Sequence, residues 1–274
     1  MTALLRLAAF GLVLVAVFAG AAAVGSAVGP LERGRTDTGH GSEPMRDVEP
    51  AGLTVAEGGF RLVAPRTRLV AGKAQPFALR ILDRRGQPLR SYDVVHARRM
   101  HVVVIRRDLT GFQHVHPTLQ RDGTWAVRLG ALAPGAYRAL ADFSTAGDNL
   151  VLGVDLFVGG RAPLRRLPPP TRGTLTGAYS VFLNSRPPTA GEAVTLRFGV
   201  RREGARAALE PYLGARGHLV VLREGDLAYL HVHADEDDLA FETTFPSPGR
   251  YRAFLEFAAG GRVYTAPFTL DVAW

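Results

Sequence analysis

An internal repeat constrains this chain more than any other feature of its sequence. The segment MHVVVIRRDLTGFQHVHP, residues 100–117, returns as GHLVVLREGDLAYLHVHA at residues 217–234, with a constant offset of 117 residues. Flanking segments repeat as well, because GKAQPFALRI corresponds to GEAVTLRFGV and PGAYRALADF corresponds to PGRYRAFLEF. Self-similarity at a fixed period indicates duplicated structural units, so the chain is predicted to hold two copies of one domain.

The pattern inside each copy predicts the fold class. Short apolar runs alternate with turns rich in Gly, Pro and Asp, and no stretch after residue 30 has a convincing helical period. This spacing is typical of sandwiches of antiparallel strands. We therefore predict an all-β protein, with two tandem immunoglobulin-like β-sandwiches after an N-terminal hydrophobic helix.

The predicted domain boundaries lie where the strand pattern stops. Residues 31–52 are polar and rich in turn formers, which predicts a flexible linker. Residues 160–173 contain three consecutive prolines, which predicts a semi-rigid spacer. The first sandwich is assigned to residues 53–159 and the second to residues 174–274. Each has a usual size for a single domain.

The N-terminal segment predicts export from the cytoplasm. Residues 7–31 carry no charge, and small residues at 25–27 suit a cleavage site. The apolar run is longer than the roughly 7–15 residues of an ordinary signal core and approaches the roughly 20 that cross a bilayer. Residues 1–30 are therefore interpreted as a cleaved signal peptide or as an anchor that contacts the membrane through residues 7–30. Either alternative predicts sandwiches outside the cytoplasm, anchored to the cell membrane or secreted.

Composition excludes several classes of function. The chain has no cysteine, so it cannot form disulfides or a blue-copper centre with a thiolate ligand. Its net charge is +8, but the arginines are scattered and form no stripe, which argues against a nucleic-acid partner. No phosphate loop, dinucleotide fingerprint or nucleophile elbow occurs. We expect a binding protein and not an enzyme.

Six of the eight histidines fall on three repeated positions. These candidate metal ligands are His101, His114 and His116 in the first copy and His218, His231 and His233 in the second. Successive side chains of a strand point to opposite faces, so both histidines of each His-x-His pair share a face. If Val103 pairs with His114, then His101 lies opposite His116 and three rings meet on one side. The same register places His218 opposite His233.

Three imidazoles on one hairpin match the ligand count of three-histidine zinc and copper sites. The sequence therefore predicts one such site per sandwich, with copper favoured over zinc because Cu(II) binds nitrogen ligands more tightly. Asp142 and Glu256 occupy matched positions and are candidates for a fourth ligand or for a hydrogen bond that orients a ligand. His96 is interpreted as a loop residue. The alternative is a structural or adhesive module without metal, whose histidines pack against Phe112 and Tyr229 and whose sheet contacts a protein partner.

The two hairpins and the PG-x-YRA turns resemble those of exported bacterial immunoglobulin-like proteins, with related modules of the FixH and YtkA-like kind. Such modules often accompany copper or heavy-metal handling systems. The resemblance covers roughly residues 52–274 and implies a β-sandwich with a role in metal handling, but it implies no catalytic residue. Together with the histidines, it predicts an extracytoplasmic metal-binding protein for sequestration or delivery.

Overall fold

The strands predicted from the apolar runs are present throughout the described part of the chain. The computed structural model describes Leu12 and residues 16–18, 50–163, 165–230, 232–234 and 238–274. Arg46–Trp274 form one compact unit, in which two immunoglobulin-like β-sandwiches follow one another. The predicted all-β fold class is confirmed.

The first sandwich is built from two sheets of short and long strands. Its strands are β1 Ala56–Glu57, β2 Phe60–Val63, β3 Arg68–Leu69, β4 Gln75–Leu82, β5 His101–Arg106, β6 Gln113–Val115, β7 Thr118–Leu119, β8 Trp125–Leu129, β9 Gly135–Thr145 and β10 Asp148–Val158. One sheet has the order β1-β2-β4-β8-β7, and the other has the order β3-β10-β9-β5-β6. The histidine hairpin, β5 and β6, therefore lies at one edge of the second sheet.

The second sandwich repeats this plan. Its strands are β11 Gly173–Thr176, β12 Tyr179–Leu183, β13 Ala193–Arg202, β14 Ala205–Arg206, β15 His218–Arg223, β16 Tyr229–Leu230, β17 His233–Ala234, β18 Ala240–Thr244, β19 Gly249–Ala259 and β20 Arg262–Val272. One sheet has the order β11-β12-β13-β18-β17, with β14 beside β13, and the other has the order β16-β15-β19-β20. Strand β15 corresponds to β5, and β16 begins the strand that corresponds to β6.

Each sandwich has its own apolar core between its two sheets. In the first, alternate residues of β4, including Phe77, Leu79 and Ile81, are buried, and the residues between them are more exposed. In the second, Leu196, Phe198 and Val200 of β13 are buried, and the residues between them are likewise more exposed. This period of two is the pattern of a strand with one buried face, and each such large side chain contributes roughly 1.5–3 kcal/mol.

Strands β5 and β15 depart from this alternation because both of their faces are buried. Val102 and Val104 of β5 point into the first core, whereas Val103 and Ile105 belong to a third apolar cluster. That cluster joins the sandwiches and consists of Val103, Ile105, Leu109, Leu140, Val151, Leu167, Val220, Leu222, Leu227, Tyr229 and Phe254. The sheets that carry the histidine hairpins therefore pack against each other.

Two connecting segments contribute to this interface. Leu167 of the proline-rich segment is buried in the third cluster, and Arg250 donates hydrogen bonds to the carbonyl oxygens of Leu167 and Pro168 at 2.9 and 2.7 Å. At the other end of the first sandwich, the Tyr229 backbone NH donates to the carbonyl of Ala51 at 2.9 Å. The proline-rich segment is thus part of the packed interface and not only a spacer.

The N-terminal segment is described only in small part. Leu12 and residues 16–18 are helical, and the other residues of the predicted signal peptide or anchor lie outside the described residues. Within the described part of the chain, no helix is long and apolar enough to cross a membrane.

Candidate metal centre between the two sandwiches

The first hairpin brings three histidines together with the predicted register. Val103 pairs with His114 between β5 and β6, so this part of the prediction is confirmed. His101 and His116 lie at the adjacent position, with ring centroids 4.9 Å apart. One ring nitrogen from each of His101, His114 and His116 lies within 4.8 Å of the other two. His101 and Val103 lie two residues apart in β5, so their side chains point to the same face of the sheet. That face is the one that packs against the second sandwich.

The second sandwich adds His218 to the same cluster. The His218 ring is stacked on His101 with centroids 5.2 Å apart, and its centroid lies 4.9 Å from that of His114. This differs from the prediction of one separate site per sandwich. The physical reason is the packing of β5 and β15 across the interface, since the positions of His101 and His218 meet when the two sheets face each other.

The second hairpin is described only in part. Its register begins as predicted, because Leu222 pairs with Tyr229. The described part of this strand is Tyr229–Leu230, and His233 pairs with Glu242 in the other sheet. The expectation that His218 lies opposite His233 stays a prediction. His231 lies outside the described residues.

Hydrogen bonds fix which nitrogens of the first cluster carry lone pairs. The His101 Nε2 lies 3.3 Å from the carbonyl oxygen of Val95, and the His114 Nδ1 lies 2.5 Å from the Glu256 Oε2. Carbonyl and carboxylate oxygens accept, so both of these nitrogens donate. The remaining nitrogens, His101 Nδ1 and His114 Nε2, lie 3.1 Å apart. In neutral rings both carry lone pairs, which repel unless a cation lies between them.

Burial keeps most of these imidazoles neutral. Burial, followed by the neighbouring histidines His114 and His116, lowers the pKa of His101 to about 3. Burial and the charges of His114 and Arg98 lower the pKa of His116 to about 4. The pKa of His218 is lowered well below its ordinary value, again chiefly by burial. Neutral imidazoles are the form that binds metal ions.

Two buried nitrogens of the cluster have no hydrogen-bond partner among the described residues. They are the Nε2 atoms of His116 and His218. Buried polar atoms are nearly always paired, so unpaired nitrogens in a ring cluster indicate a site for an ion or a water. A cavity of about 20 Å³ adjoins His101, His218 and Asp142 and has room for one water molecule, but neither His114 nor His116 lines it.

Each of the two matched carboxylates accepts a hydrogen bond from a residue of the other sandwich. Glu256 lies opposite His218 in its own sheet and accepts the hydrogen bond of His114 from the first sandwich. Asp142 lies opposite His101 and accepts a hydrogen bond from the Tyr229 hydroxyl of the second sandwich at 3.1 Å. Of the two candidates, Glu256 contacts a candidate ligand in the position that orients its ring.

His96 is the member of the cluster that the sequence interpretation missed. Its ring centroid lies 5.4 Å from that of His218 and 6.3 Å from that of His101. His96 and Ala97 occupy a two-residue turn with φ of 48° and 58°, a conformation that costs non-glycine residues roughly 1–2 kcal/mol each. The turn also holds the Val95 carbonyl against His101. The sequence signal for the interface beside His96 is the pair of uninterrupted apolar runs in β5 and β15, which indicate strands covered on both faces.

Comparison with known families supports the duplicated architecture. The family model described as "Domain of unknown function (DUF8832)" matches residues 55–159 and again residues 174–274. No curated protein matches the sequence. The resemblance to FixH and YtkA-like modules stays an expectation from the sequence.

Several solved structures have a similar arrangement of strands over part of their length. They include the Escherichia coli adhesin FdeC (13% identity, 80% of this chain and 65% of that one, TM-score 0.26) and the Yersinia pseudotuberculosis adhesin InvE (13% identity, 78% and 59%, TM-score 0.25). A Salmonella alpha-2-macroglobulin mutant is 15% identical over 82% of this chain and 15% of its own, with a TM-score of 0.29. The chain thus spans less than two thirds of each of these proteins. Such TM-scores carry no functional argument, so function has to be inferred from the site.

Proposed function

Because the chain belongs to the family described as a domain of unknown function (DUF8832), whose description names no activity, we propose from the site itself that it binds one divalent transition metal ion between its sandwiches. His101, His114 and His116 are the proposed ligands. Glu256 of the second sandwich orients His114 and adds negative charge beside the ion. The function proposed is binding and not catalysis.

The observation that carries this proposal is the 3.1 Å separation of His101 Nδ1 and His114 Nε2. Both nitrogens are left as acceptors by the hydrogen bonds that their rings make elsewhere. With metal–nitrogen bonds of about 2.0–2.1 Å, two ligands lie about 2.9 Å apart at 90° and about 3.3 Å apart at a tetrahedral angle. The spacing therefore suits a shared ion before any side chain moves.

Copper is the metal that the ligand chemistry favours, with zinc second. Imidazole nitrogens suit both ions, and Cu(II) binds more tightly at a given nitrogen site. The rings of His101 and His114 are held by a carbonyl and a carboxylate oxygen, which is the way in which proteins orient metal-binding histidines. The chain has no thiolate, so the proposed role is holding the ion and not electron transfer.

The proposed setting is outside the cytoplasm, where the protein sequesters or delivers the ion. The uncharged segment at residues 7–31 supports export, either as a signal peptide or as a membrane anchor. A site enclosed between two domains suits sequestration because release then requires the interface to open.

A second candidate function is a structural or adhesive module that binds a protein partner and no metal. The contacts of His114 favour it, because the ring lies within hydrogen-bond distance of both Glu256 and His101 and is therefore satisfied without an ion. In that case the cluster is a polar part of the interface between the sandwiches, and the function resides on an outer surface.

Calorimetric titration of the purified, tag-free chain with CuCl2 and with ZnCl2 tests the metal proposal. We expect saturation at one ion per chain with a Kd below about 1 µM, and tighter binding of copper. His101→Ala should lose this binding, whereas His40→Ala in the predicted linker should keep it.

Binding no tighter than micromolar would support the metal-free candidate. Equal binding by His101→Ala and the wild type would place the ion elsewhere. Near-ultraviolet circular dichroism of each variant shows whether the fold is retained, so loss of a ligand is distinguished from loss of structure.

A further inference from the structure

A broad groove lies on the outer face of the second sandwich, on the sheet that does not carry His218. Its volume is about 910 Å³, and its lining includes Arg197, Arg201, Arg206, Arg216, Phe182 and Gly199, which we call the arginine groove. Strands β12 and β13 form its floor, and Arg206 lies on β14 beside Arg201. None of these side chains belongs to the proposed metal centre.

The floor of the arginine groove carries an exposed aromatic side chain between two glycines. Phe182 is 39% exposed and pairs with Gly173 on one side and Gly199 on the other. Leu175, on the same face of the neighbouring strand, is 76% exposed. Because the glycines have no side chains, the Phe182 ring forms a flat apolar surface that a ligand can contact from above.

Two arginines of the groove lie on either side of this apolar surface. Arg197 and Arg201 flank Gly199 at two residues on either side along β13, and both are exposed. In the described part of the chain neither forms an ion pair, and the one acidic residue that lines the groove, Asp238, lies 3.9 Å from Arg206. Two residues of a strand span roughly 6.6 Å, so the floor alternates a cation, an apolar surface and a cation at that spacing.

The first sandwich has different side chains at the corresponding positions. Ala78 and Leu82 of β4 align with Arg197 and Arg201, and Arg80 aligns with Gly199. The Arg80 guanidinium donates to the Thr124 hydroxyl and to Asp122, each at 2.7 Å, so its charge is paired within the sandwich. At these aligned positions, two arginines without an ion pair among the described residues occur in the second copy, whereas the single arginine of the first copy is paired.

We propose that the arginine groove binds an extended acidic peptide segment of a partner protein. In an extended chain, residues i, i+2 and i+4 point to the same side and repeat at about 6.6–6.8 Å. Carboxylates at i and i+4 then reach Arg197 and Arg201, with an apolar side chain at i+2 on Phe182. Arginine binds carboxylates through paired hydrogen bonds, and arginine and aromatic residues are enriched in protein interfaces.

This proposal is independent of the metal, because the groove and the histidine cluster lie on different sheets of the second sandwich. An exposed apolar surface between the cations distinguishes a peptide from a phosphate chain, whose charged groups would leave Phe182 and Leu175 uncovered. The matching occupant alternates acidic and apolar side chains.

Fluorescence anisotropy with a labelled peptide of sequence Ser-Glu-Ser-Leu-Ser-Glu-Ser tests the proposal on the full chain. The control peptide, Ser-Ser-Glu-Glu-Leu-Ser-Ser, has the same composition and charge but the wrong spacing. We expect saturable binding of the first peptide, at least about 5-fold tighter than that of the control, and weaker binding in about 0.5 M NaCl.

Matched variants then locate the binding. The double variant Arg197→Ala/Arg201→Ala should weaken binding at least about 10-fold, and Phe182→Ser should weaken it about 5-fold. Arg66→Ala/Arg68→Ala removes the same two charges from exposed positions of the first sandwich and should change binding less than about 2-fold. All four arginines are exposed, so these variants are expected to fold.

Three outcomes would overturn the proposal. Absence of binding by the wild type would mean that the groove takes no acidic peptide. Equal weakening by the two arginine double variants would show attraction to net charge alone. Tighter binding of an oligothymidylate that competes with the peptide would assign the groove to nucleic acid.

Discussion

The two sandwiches share a fold and a hairpin register, yet their histidines are used differently. In the first, β6 extends to Val115 before the chain crosses to the other sheet at Thr118, so His116 stays beside His101. In the second, the described part of β16 is Tyr229–Leu230, and His233 pairs with Glu242 in the other sheet. Among the described side chains, the first hairpin brings three histidines to the cluster and the second brings His218. A repeated motif gives repeated chemistry only where the backbone around it is also repeated.

The largest expected effect concerns the interface that joins the two copies. Phe254 of the second sandwich is buried there and stacks on Phe112 of the first, with ring centroids 4.1 Å apart. Phe254→Ala should lower the free energy of unfolding by about 3–5 kcal/mol, as measured by urea denaturation. If the sandwiches were independent units, two separate unfolding transitions would be observed and only one of them would shift.

The second prediction contrasts corresponding histidines of the two hairpins. His116→Ala should weaken copper binding more than about 100-fold, since it removes a proposed ligand, whereas His233→Ala should weaken it less than about 3-fold. Competition with a chromogenic chelator measures both affinities. Similar losses in the two variants would show that both hairpins supply ligands, which is the arrangement predicted from the sequence.

The third prediction contrasts the turns of the two hairpins. Burial raises the pKa of Asp108, but hydrogen bonds from Arg106 and Thr110 outweigh this and lower it to about 2. The Asp108 side chain is 8% exposed because the proline-rich segment covers it, and the Arg165 NH donates to it. In the second hairpin the similar ion pair is formed by Asp226, one residue beyond the aligned position, which lies 2.5 Å from Arg223 and is 41% exposed.

A carboxylate with a lowered pKa in the folded state stabilises the fold above its ordinary pKa of 3.8, and this contribution is lost as the pH falls toward 2. Asp108→Asn should therefore cost about 2 kcal/mol at pH 7 and almost nothing near pH 2. Asp226→Asn should show a smaller difference. Thermal unfolding across this pH range measures both, and equal effects would contradict the role of the covering segment.

The smallest expected effect separates the matched carboxylates. Glu256→Gln should weaken copper binding about 10-fold, because the negative charge that orients His114 is removed. Asp142→Asn should change the affinity less than about 3-fold, since among the described residues Asp142 accepts a hydrogen bond from Tyr229 and forms none with a proposed ligand. The same chelator competition measures these changes, and a reversed order would move the ion toward the Asp142 side of the cluster.

The fold and half of the candidate site could be predicted from the sequence. Alternating apolar residues indicate strands, and the register of Val103 with His114 follows from the loop length between them. The interface could not be predicted in this way, because facing sheets of two domains are set by long-range packing. The turn at His96 was missed for a related reason, since two left-handed residues without glycine leave no clear mark in the sequence.

The position of His233 was beyond the reach of local rules as well. Its spacing from His218 equals the spacing of His116 from His101, and only pairing with Glu242 in the other sheet distinguishes the two. A strand ends where its backbone forms hydrogen bonds with the other sheet instead. The sequence of a repeated motif does not show where this happens.

Native mass spectrometry of the copper-treated chain tests the central claim most directly, because it counts ions per molecule. The wild type should carry one copper ion, the His231→Ala/His233→Ala variant should still carry one, and the His101→Ala/His114→Ala/His116→Ala variant should carry none. Two ions on the wild type, or one ion retained by the triple variant, would contradict a single centre built on the first hairpin.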